Sequence, residues 1–395
     1  MKIIFPLLYI AEHSGDSGIW KKLIQVIESV FPGSEYICPT QYSPNDLEIL
    51  KWDIDQLKEV TPNITVIPSG LVSGFNYEEF KKLTTEEEVV SYMDNVTPSE
   101  HLAEADMAIS MGGGYMFADL LYCLYLPPFY VAQKLGKPTF FNTQTFSGAD
   151  FTPATKILSN IVFNKAKYIS PREQASANTL RQTLGVTKEF AVSQDFTFDI
   201  PPEPYKKPYP PQYNSIKINI RHDTVTEHAV ETMAKVADMI VEKMGPVVFV
   251  PICHGGSRDD RITHRNIASR MTHESTLIED KITVGQAKTI AKGGIFITNR
   301  YHTATFSASA LTPFVSLVPD IGFKMGGLLD VLEYPCKDVL NLGNASVEEL
   351  FQHVARVWEN QDSIKNQLEI SVPEITRGVT EATDKLREEL KNAIR

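Results

Sequence analysis

The sequence is poor in cysteine and has no long apolar run, and both shortages narrow the class of protein. Only four cysteines, Cys38, Cys123, Cys253 and Cys336, occur in 395 residues, and none forms a CxxC pair. This pattern disfavours a structural zinc site and fits buried thiols in a reducing, cytoplasmic setting. No apolar run approaches the ~20 residues that span a bilayer. We therefore expect no membrane span.

The chain also lacks an excess of positive charge. Its 38 Lys and Arg residues are outnumbered by 49 Asp and Glu residues, which gives a formal net charge of −11. An acidic chain does not attract nucleic acid or anionic membrane, so we expect no nucleic-acid partner, and any anionic ligand needs a local cationic pocket. Charged residues at 22% and hydrophobic residues at 43% are typical of a soluble globular protein.

Short apolar runs of 4–8 residues alternate with amphipathic stretches through most of the chain. This alternation predicts an α/β fold of strand–helix units around parallel sheets. Strands are predicted at 2–10, 35–39, 64–68, 106–111, 138–143, 167–170 and 190–193, and then at 216–221, 246–252, 276–279, 294–299, 313–318 and 337–341.

Six prolines in the segment 199–213 mark a linker, because proline fixes φ and cannot join a sheet ladder. Two Rossmann-like halves then suggest a ligand cleft between them, at the carboxyl ends of the strands. The tail is helical in pattern, with Pro373 as a break. The predicted organisation is a first domain at 1–200 on the acceptor side, a linker at 201–214, a second domain at 215–345 on the donor side, and C-terminal helices at 346–395.

Two loops of the first half could contact a ligand. Gly112, Gly113 and Gly114 follow an apolar run and precede a helix-like stretch, where glycine lets a ligand approach the backbone and a helix start offers N–H groups. The loop after the first strand carries Asp16 and Ser17. A tight turn and a helix cap are the structural alternatives for these two loops.

The second half places cations after its strands. Arg221, His254, Arg300, His302 and Lys324 each follow a predicted strand. In a parallel sheet those strand ends share one edge, so we expect a positive site in a negative protein. Surface ion pairs are the alternative for each residue alone.

Arg300 and His302 form the strongest pair, because small residues follow them and would let the next helix pack close to the sheet. A guanidinium, an imidazole and a helix N-terminus together make an anion pocket with a proton donor. The nearby His254, Asp259 and Asp260 lack the spacing of a known metal site, so we expect no bound metal.

The order of these motifs resembles the polysaccharide pyruvyl transferase family. The matching runs are MGGGYMFADL, AQKLGKPTFFNTQTFSG, KYISPREQASANTLRQTLGV and VSQDFTFDIP, then INIR, VPICH, ITNRYHTATFSASALTPFVSL and FKMGGLLDVL, roughly over 105–335. The resemblance implies a two-domain fold similar to GT-B glycosyltransferases. It also implies transfer of the enolpyruvyl unit of phosphoenolpyruvate onto a sugar of a glycan or glycolipid of the cell envelope, forming a pyruvate ketal and releasing phosphate.

The resemblance carries catalytic roles over to Arg221, Arg300 and His302, with Lys324 and His254 as further donor-binding residues. Asp16, Ser17, Gly113 and Gly114 are the expected acceptor-binding residues. Phosphoenolpyruvate is a co-substrate, no other cofactor is expected, and the sequence leaves a homo-oligomeric state open.

The residue chemistry agrees with this resemblance. Two arginines can hold the phosphate and the carboxylate of phosphoenolpyruvate with planar donor forks, and a protonated His302 can deliver a proton to the methylene carbon. His254, Asp16 and Asp195 stay open as the base for the sugar hydroxyl. Two rival functions also stay open: a GT-B glycosyltransferase with a nucleotide-sugar donor, for which Glu333 is a weak ribose-binding candidate, and a non-catalytic saccharide-binding protein.

Overall fold

A computed structural model describes residues 1–6, 13–40, 55, 58, 61–68, 70–148, 150–207, 215–255, 258–318 and 323–394. The chain divides into two compact units. Unit 1 comprises Met1–Ile10, Ile19–Phe196 and Gly378–Arg395, and unit 2 comprises Ala11–Gly18 and Thr197–Arg377. The main division falls near the first predicted boundary at 200. The segment 11–18, predicted in the first domain, groups with unit 2, and the last part of the predicted C-terminal helices, 378–395, groups with unit 1. Most of the predicted linker, 208–214, lies outside the described residues.

Unit 1 is built on a seven-stranded parallel sheet in the order β3-β2-β1-β6-β8-β7, with β9 also pairing with β8. Its central strands are buried on both faces, as in a parallel sheet covered by helices. A separate antiparallel pair, β4 and β5, lies outside this sheet. The strands are β1 Lys2–Ile4, β2 Glu35–Thr40, β3 Ile64–Pro68, β4 Val72–Ser73, β5 Thr97–Pro98, β6 Met107–Ser110, β7 Gly113–Met116, β8 Thr139–Phe146 and β9 Tyr168–Pro171.

The helices that follow these strands pack an apolar core that includes Phe129, Phe141 and Phe163, all fully buried. A π-helical turn, Thr179–Thr183, and a 3-10 turn, Phe196–Asp199, complete this part of the chain. The helices are α1 Ser14–Glu28, which begins in unit 2, then α2 Tyr77–Phe80, α3 Glu86–Asp94, α4 Glu100–Glu104, α5 Asp119–Lys134, α6 Pro153–Lys165 and α7 Gln174–Asn178.

Unit 2 repeats the design with a six-stranded parallel sheet in the order β12-β11-β10-β13-β14-β15. Ile216, Ile218 and Ile220 in and beside the central strand are fully buried, as their alternation predicted. Because the strands run parallel, their carboxyl ends lie along one edge of the sheet. The strands are β10 Ile216–Asn219, β11 Val247–Phe249, β12 Thr276–Leu277, β13 Ile295–Thr298, β14 Phe314–Val318 and β15 Leu340–Asn341.

Seven helices of the described chain follow in unit 2, and the last one ends in unit 1. None of the described helices combines the length and the apolar character needed to cross a membrane. The helices are α8 Glu227–Lys243, α9 Asp260–Ala268, α10 Val284–Ala291, α11 Tyr301–Ser309, α12 Phe323–Val331, α13 Val347–Glu359 and α14 Gln361–Asn392.

The structure corrects two predictions of secondary structure. Residues 190–193 form no strand. Pro373 does not break the C-terminal helix, which runs through it for 32 residues. Proline there removes one backbone hydrogen bond, but the buried stripe that includes Val372, Ile375 and Val379 holds the helix on both sides.

The glycine tract after β6 is also placed differently from the prediction. Gly113 and Gly114 belong to strand β7, and the next helix begins only at Asp119. Gly112 has φ +93°, and a Cβ there would lie 2.5 Å from the carbonyl oxygen of Asn142. Glycine is therefore required at 112 for the close approach to β8 and not for a helix N-terminus.

Candidate active site

Arg300 stands between strand β13 and helix α11, where the chain turns at the sheet edge. It is the N-cap of the helix, with extended backbone (φ −109°, ψ 128°), and its N–H donates to Thr298 Oγ1 at 3.0 Å. Its side chain is only 8% exposed. The end of β13 thus places a buried guanidinium at the start of α11.

The guanidinium of Arg300 is held by Asp260, the first residue of α9. Nε donates to Asp260 Oδ1 at 3.0 Å, and Nη2 makes a second bond to the same oxygen. The other carboxylate oxygen accepts from Asn219 Nδ2 at 3.0 Å and from the N–H groups of Ile252 and Cys253. Burial is the largest single influence and acts to lower the pKa of Arg300, but the charges of Asp260, Cys253 and Asp223 and the hydrogen bond to Asp260 together outweigh it and raise the pKa. Arg300 is therefore a fixed, permanent cation.

Arg221 and Arg258 meet at a second carboxylate, Asp223. Arg221 Nη2 donates to Asp223 Oδ2 at 2.6 Å, and Arg258 Nε lies 3.7 Å from the same oxygen. The N–H of Arg221 donates to Asn299, which ties it beside Arg300. Burial acts to raise the pKa of Asp223, but its hydrogen bond to Arg221 and the charges of Arg221 and Arg300 lower it.

Among the described residues, the three arginines of this cluster outnumber the two carboxylates that they pair with. Three guanidinium groups, those of Arg221, Arg258 and Arg300, face two carboxylates, those of Asp223 and Asp260. Arg221 and Arg258 keep 34% and 41% of their side chains exposed. Partly exposed arginines beside a neutralised buried pair are well suited to accept an anion.

His302 lies in the first turn of α11 and packs against His13. Their ring centroids are 4.9 Å apart, and both residues are 8% exposed. Gly15 makes the approach possible, because a Cβ on it would lie 2.3 Å from Cγ of His302. The segment is anchored in unit 2 by a bridge between His13 and Cys253 and by the Ser14 N–H, which donates to Ile252 at 2.8 Å.

His13 is held as a neutral ring. Its Nδ1 accepts the N–H of Gly15 at 3.0 Å. Its pKa is lowered well below the ordinary value by burial first, and then by His302, Arg300, Arg221 and His254. In the neutral ring the proton then sits on Nε2.

His254 follows β11 in the same unit and is 5% exposed. Its Nε2 donates to the carbonyl oxygen of Asp280 at 2.7 Å, and its Nδ1 has no hydrogen-bond partner among the described residues. Burial first, and then the charge of Arg261, lower its pKa to about 4. His254 thus presents a buried lone pair.

A metal ion has one candidate site among the residues described. One ligand atom each of His13, Asp16 and His302 lie within 4.8 Å of one another, and all three residues are buried. The set fits a metal poorly, because the Nδ1 lone pair of His13 is already used by the Gly15 N–H and the positive charges of Arg221 and Arg300 act on the ring. The expectation of a metal-free site stays a prediction.

Unit 2 holds most of the residues that the sequence singled out. Lys324 lies in the first turn of α12, half-buried. Asp16 and Ser17 lie in the first turn of α1, and the structure groups them with the donor-side residues of unit 2. Gly113 and Gly114 belong to unit 1.

Asp195, one candidate for the base, also lies in unit 1. It is fully buried there and accepts from Arg172 Nη1 at 3.0 Å. This ion pair commits its carboxylate to structure.

Four further residues of the site were missed as candidates, and Arg258, which lies at Asp223, is one of them. His13, Asp223 and Asp260 contact the predicted residues, but each would read alone as a cap or a loop residue. The sequence holds a local signal only for Asp223, which stands two residues after its partner Arg221. Asp260 pairs with Arg300, 40 residues away, so sequence order did not reveal that ion pair. His13 carried no such signal, because its assignment to unit 2 depends on tertiary pairing with Cys253.

Comparison with known proteins gives a family and a fold. The family model described as polysaccharide pyruvyl transferase matches residues 13–321. No curated protein sequence matches the chain significantly.

Among solved structures, the chain is similar to a putative UDP-N-acetylglucosamine 2-epimerase from Listeria monocytogenes, with TM-score 0.59 and 11% identity over 100% of this chain and 96% of that one. It is also similar to UDP-GlcNAc 2-epimerase from Neisseria meningitidis (TM-score 0.57, 11% identity, 99% of each chain). A third is MurG from Acinetobacter baumannii (TM-score 0.51, 14% identity, 98% of each chain). At these identities the likeness shows the fold alone, which is the two-domain α/β fold of GT-B glycosyltransferases and epimerases, as predicted.

Proposed function

Because the chain belongs to the polysaccharide pyruvyl transferase family, we propose that it transfers the enolpyruvyl unit of phosphoenolpyruvate to a sugar. The product is a pyruvate ketal on a glycan or glycolipid of the cell envelope, and phosphate is released. The observation that carries this proposal is the charge of the cluster, in which three guanidinium groups face two carboxylates beside His302.

The arginine cluster suits the two charged groups of phosphoenolpyruvate. Every hydrogen bond that the Arg300 guanidinium makes to described residues comes from Nε and Nη2, so Nη1 remains for a ligand. Arg221 is partly exposed and shares Asp223 with Arg258. An anion that enters can take over part of the role of Asp223, and planar donor forks can hold a phosphate and a carboxylate together.

His302 is placed to act as the acid in this reaction. A proton delivered to the methylene carbon leaves an electron-poor carbon that a sugar hydroxyl can attack, after which the bond to phosphate breaks. The arginines stabilise the charge on the departing phosphate. Lys324 is a further donor-side cation, and Asp16, Ser17, Gly113 and Gly114 are proposed for the acceptor.

Phosphate release tests the proposal. Phosphoenolpyruvate is offered with β-galactosides, N-acetylmannosamine-containing lipid intermediates or glucuronate-containing oligosaccharides. We expect turnover by the wild type and a loss of at least ~100-fold in Arg300→Ala and His302→Ala, the scale of a lost charge partner or acid. Arg265→Ala is the matched control, because Arg265 pairs with Glu279 on the surface of the same unit.

The rival functions predict other outcomes. A glycosyltransferase would hydrolyse a nucleotide-sugar or be stabilised by it against unfolding, and would ignore phosphoenolpyruvate. A saccharide-binding protein would bind a panel sugar without releasing phosphate. Rates of the Arg300 and His302 variants equal to the wild-type rate would remove both residues from the mechanism.

A further inference from the structure

The base that takes the proton of the sugar hydroxyl is the open question of the proposed reaction. His254 offers a specific atom for this task. Its Nε2 must carry the hydrogen, because the carbonyl oxygen of Asp280, 2.7 Å away, can only accept. Nδ1 is then a lone pair, and it is buried without a hydrogen-bond donor among the described residues. A buried acceptor is normally satisfied, so an orphaned one suggests a donor that arrives with a ligand.

The backbone carries His254 into the neighbourhood of the proposed acid. Cys253 forms a backbone bridge with His13, and the His13 ring lies 4.9 Å from that of His302, measured between centroids. The charge of His254 is also among the causes that lower the pKa of His13. An acid and a base that flank one ligand site are what protonation of a carbon and deprotonation of a hydroxyl require.

The groups that face His254 keep it unprotonated in the empty site. Burial is the main cause of its pKa of about 4, and Arg261 adds to it, while Asp260, the Asp280 carbonyl and Asp259 oppose it. Its other ionisable neighbours are the rings of His13 and His264 and the carboxylate of Asp280. Bound phosphoenolpyruvate would raise this pKa, because negative charge stabilises the imidazolium.

The other two candidates are less well placed. Asp195 is committed to Arg172 in unit 1. Asp16 lies in one group with His13 and His302, so its negative charge is placed to balance a protonated acid.

Resting on the proposed function, we propose that Nδ1 of His254 is the base for the attacking sugar hydroxyl. His302 gives its proton to the methylene carbon, the hydroxyl oxygen bonds to the neighbouring carbon, and the hydroxyl proton moves to Nδ1. The bond to phosphate then breaks and His254 returns its proton to the phosphate. A second hydroxyl closes the ketal and restores the proton of His302, so both rings end as they began.

Two substitutions of His254 test the roles of its two ring nitrogens separately. His254→Gln places an amide N–H near the position of Nε2 and leaves no acceptor at Nδ1. His254→Asn places an amide oxygen near Nδ1, which can accept a hydrogen bond but cannot take a proton at neutral pH. His273→Gln is the control, because His273 lies on the surface of the same unit and pairs with Asp238.

The measurements are binding of phosphoenolpyruvate by calorimetry and phosphate release with p-nitrophenyl β-galactoside or water as the hydroxyl. We expect kcat to fall ~100-fold in both variants with the Kd for phosphoenolpyruvate unchanged. The KM for the galactoside should stay near wild type in His254→Asn and rise in His254→Gln. The loss of kcat at low pH in the wild type should disappear in both variants.

A kcat within ~3-fold of wild type in His254→Gln would overturn the assignment, since a base is worth at least ~100-fold. So would a weakened Kd for phosphoenolpyruvate in both variants, which would place His254 in the donor site instead. Loss of transfer in Asp16→Asn alone would assign the base to Asp16. A wild type that binds no phosphoenolpyruvate would refute the proposed function itself, and that failure is seen before any variant is made.

Discussion

Each unit contains a buried arginine just after a strand, but the two arginines have different surroundings. In unit 1, Arg172 follows β9 and meets two buried carboxylates, Asp195 at 3.0 Å and Glu173 at 3.3 Å. The hydroxyl groups of Thr145 and Ser176 donate to Glu173. The network is completed by the chain itself and is richer in carboxylates than in cations.

In unit 2, Arg300 also follows a strand and meets a buried carboxylate, but the surroundings differ. Three arginines share two carboxylates there, two of these arginines are partly exposed, and the Nδ1 of His254 has no donor among the described residues. The comparison teaches that a buried arginine does not by itself mark a ligand site. What marks it is a network that the described residues leave incomplete.

Removing the arginine of the complete network should have the largest effect on stability. Arg172→Met strands the buried carboxylates of Asp195 and Glu173, and we expect the free energy of unfolding to fall by roughly 3–5 kcal/mol. Chemical denaturation measures it. Phosphate release per folded molecule should stay unchanged, and a specific loss of turnover would contradict the division into structural and functional arginines.

Acid should destabilise unit 2 before unit 1. Eight of the nine histidines lie in unit 2, and only His101 lies in unit 1. Burial is the main cause that lowers the pKa of His254 and of His264 from 6.5 to about 4. The unfolded chain therefore binds more protons than the folded one between these values, so stability falls as pH drops through this window, by up to roughly 3 kcal/mol per ring.

Hydrogen exchange at pH 7, 5.5 and 4.5 measures which unit loses stability first as the pH falls. Amides of β10 and β13 should lose protection at higher pH than those of β6 and β8. Equal loss in both units, or earlier loss in unit 1, would contradict the assignment of neutral buried rings.

Two glycine substitutions should show whether a loss of stability and a loss of phosphate release can be separated. A Cβ at Gly112 would lie 2.5 Å from a backbone oxygen, and a Cβ at Gly15 would lie 2.3 Å from the His302 ring. Both alanine variants should lose roughly 1–3 kcal/mol of stability through overpacking. Only Gly15→Ala should also reduce phosphate release at a temperature where both variants are folded. Equal rates in the two variants would show that the position of the His302 ring does not matter.

The smallest losses of stability should come from the helix caps, and they should be equal in the two units. Thr85 caps α3 in unit 1 and Ser346 caps α13 in unit 2, and each forms a capping box. Alanine at either position should cost about 1 kcal/mol of stability, with no change in turnover. A change in turnover from Ser346→Ala would mean that unit 2 responds to remote destabilisation, and would weaken the interpretation of the active-site variants.

The sequence predicted the α/β class and most strands of the described chain, because buried parallel strands leave continuous apolar runs, but it missed β4, β5 and β7. It also predicted which cations of unit 2 follow strands, since that depends only on local order. It could not predict the assignment of His13 to unit 2, which is a matter of tertiary pairing. The glycine tract at 112–114 was misplaced because a strand that needs close approach and a helix N-terminal loop leave the same glycines in a sequence.

Binding of phosphoenolpyruvate tests the central claim most directly, because it needs no acceptor. Calorimetry compares the wild type with Arg221→Ala and with the surface control Arg265→Ala. We expect the wild type and the control to bind alike, and Arg221→Ala to bind at least ~10-fold more weakly, as the loss of a charge-assisted contact implies. Equal affinity in all three proteins, or no binding by the wild type, would contradict the assignment of the incomplete cationic network as the donor site.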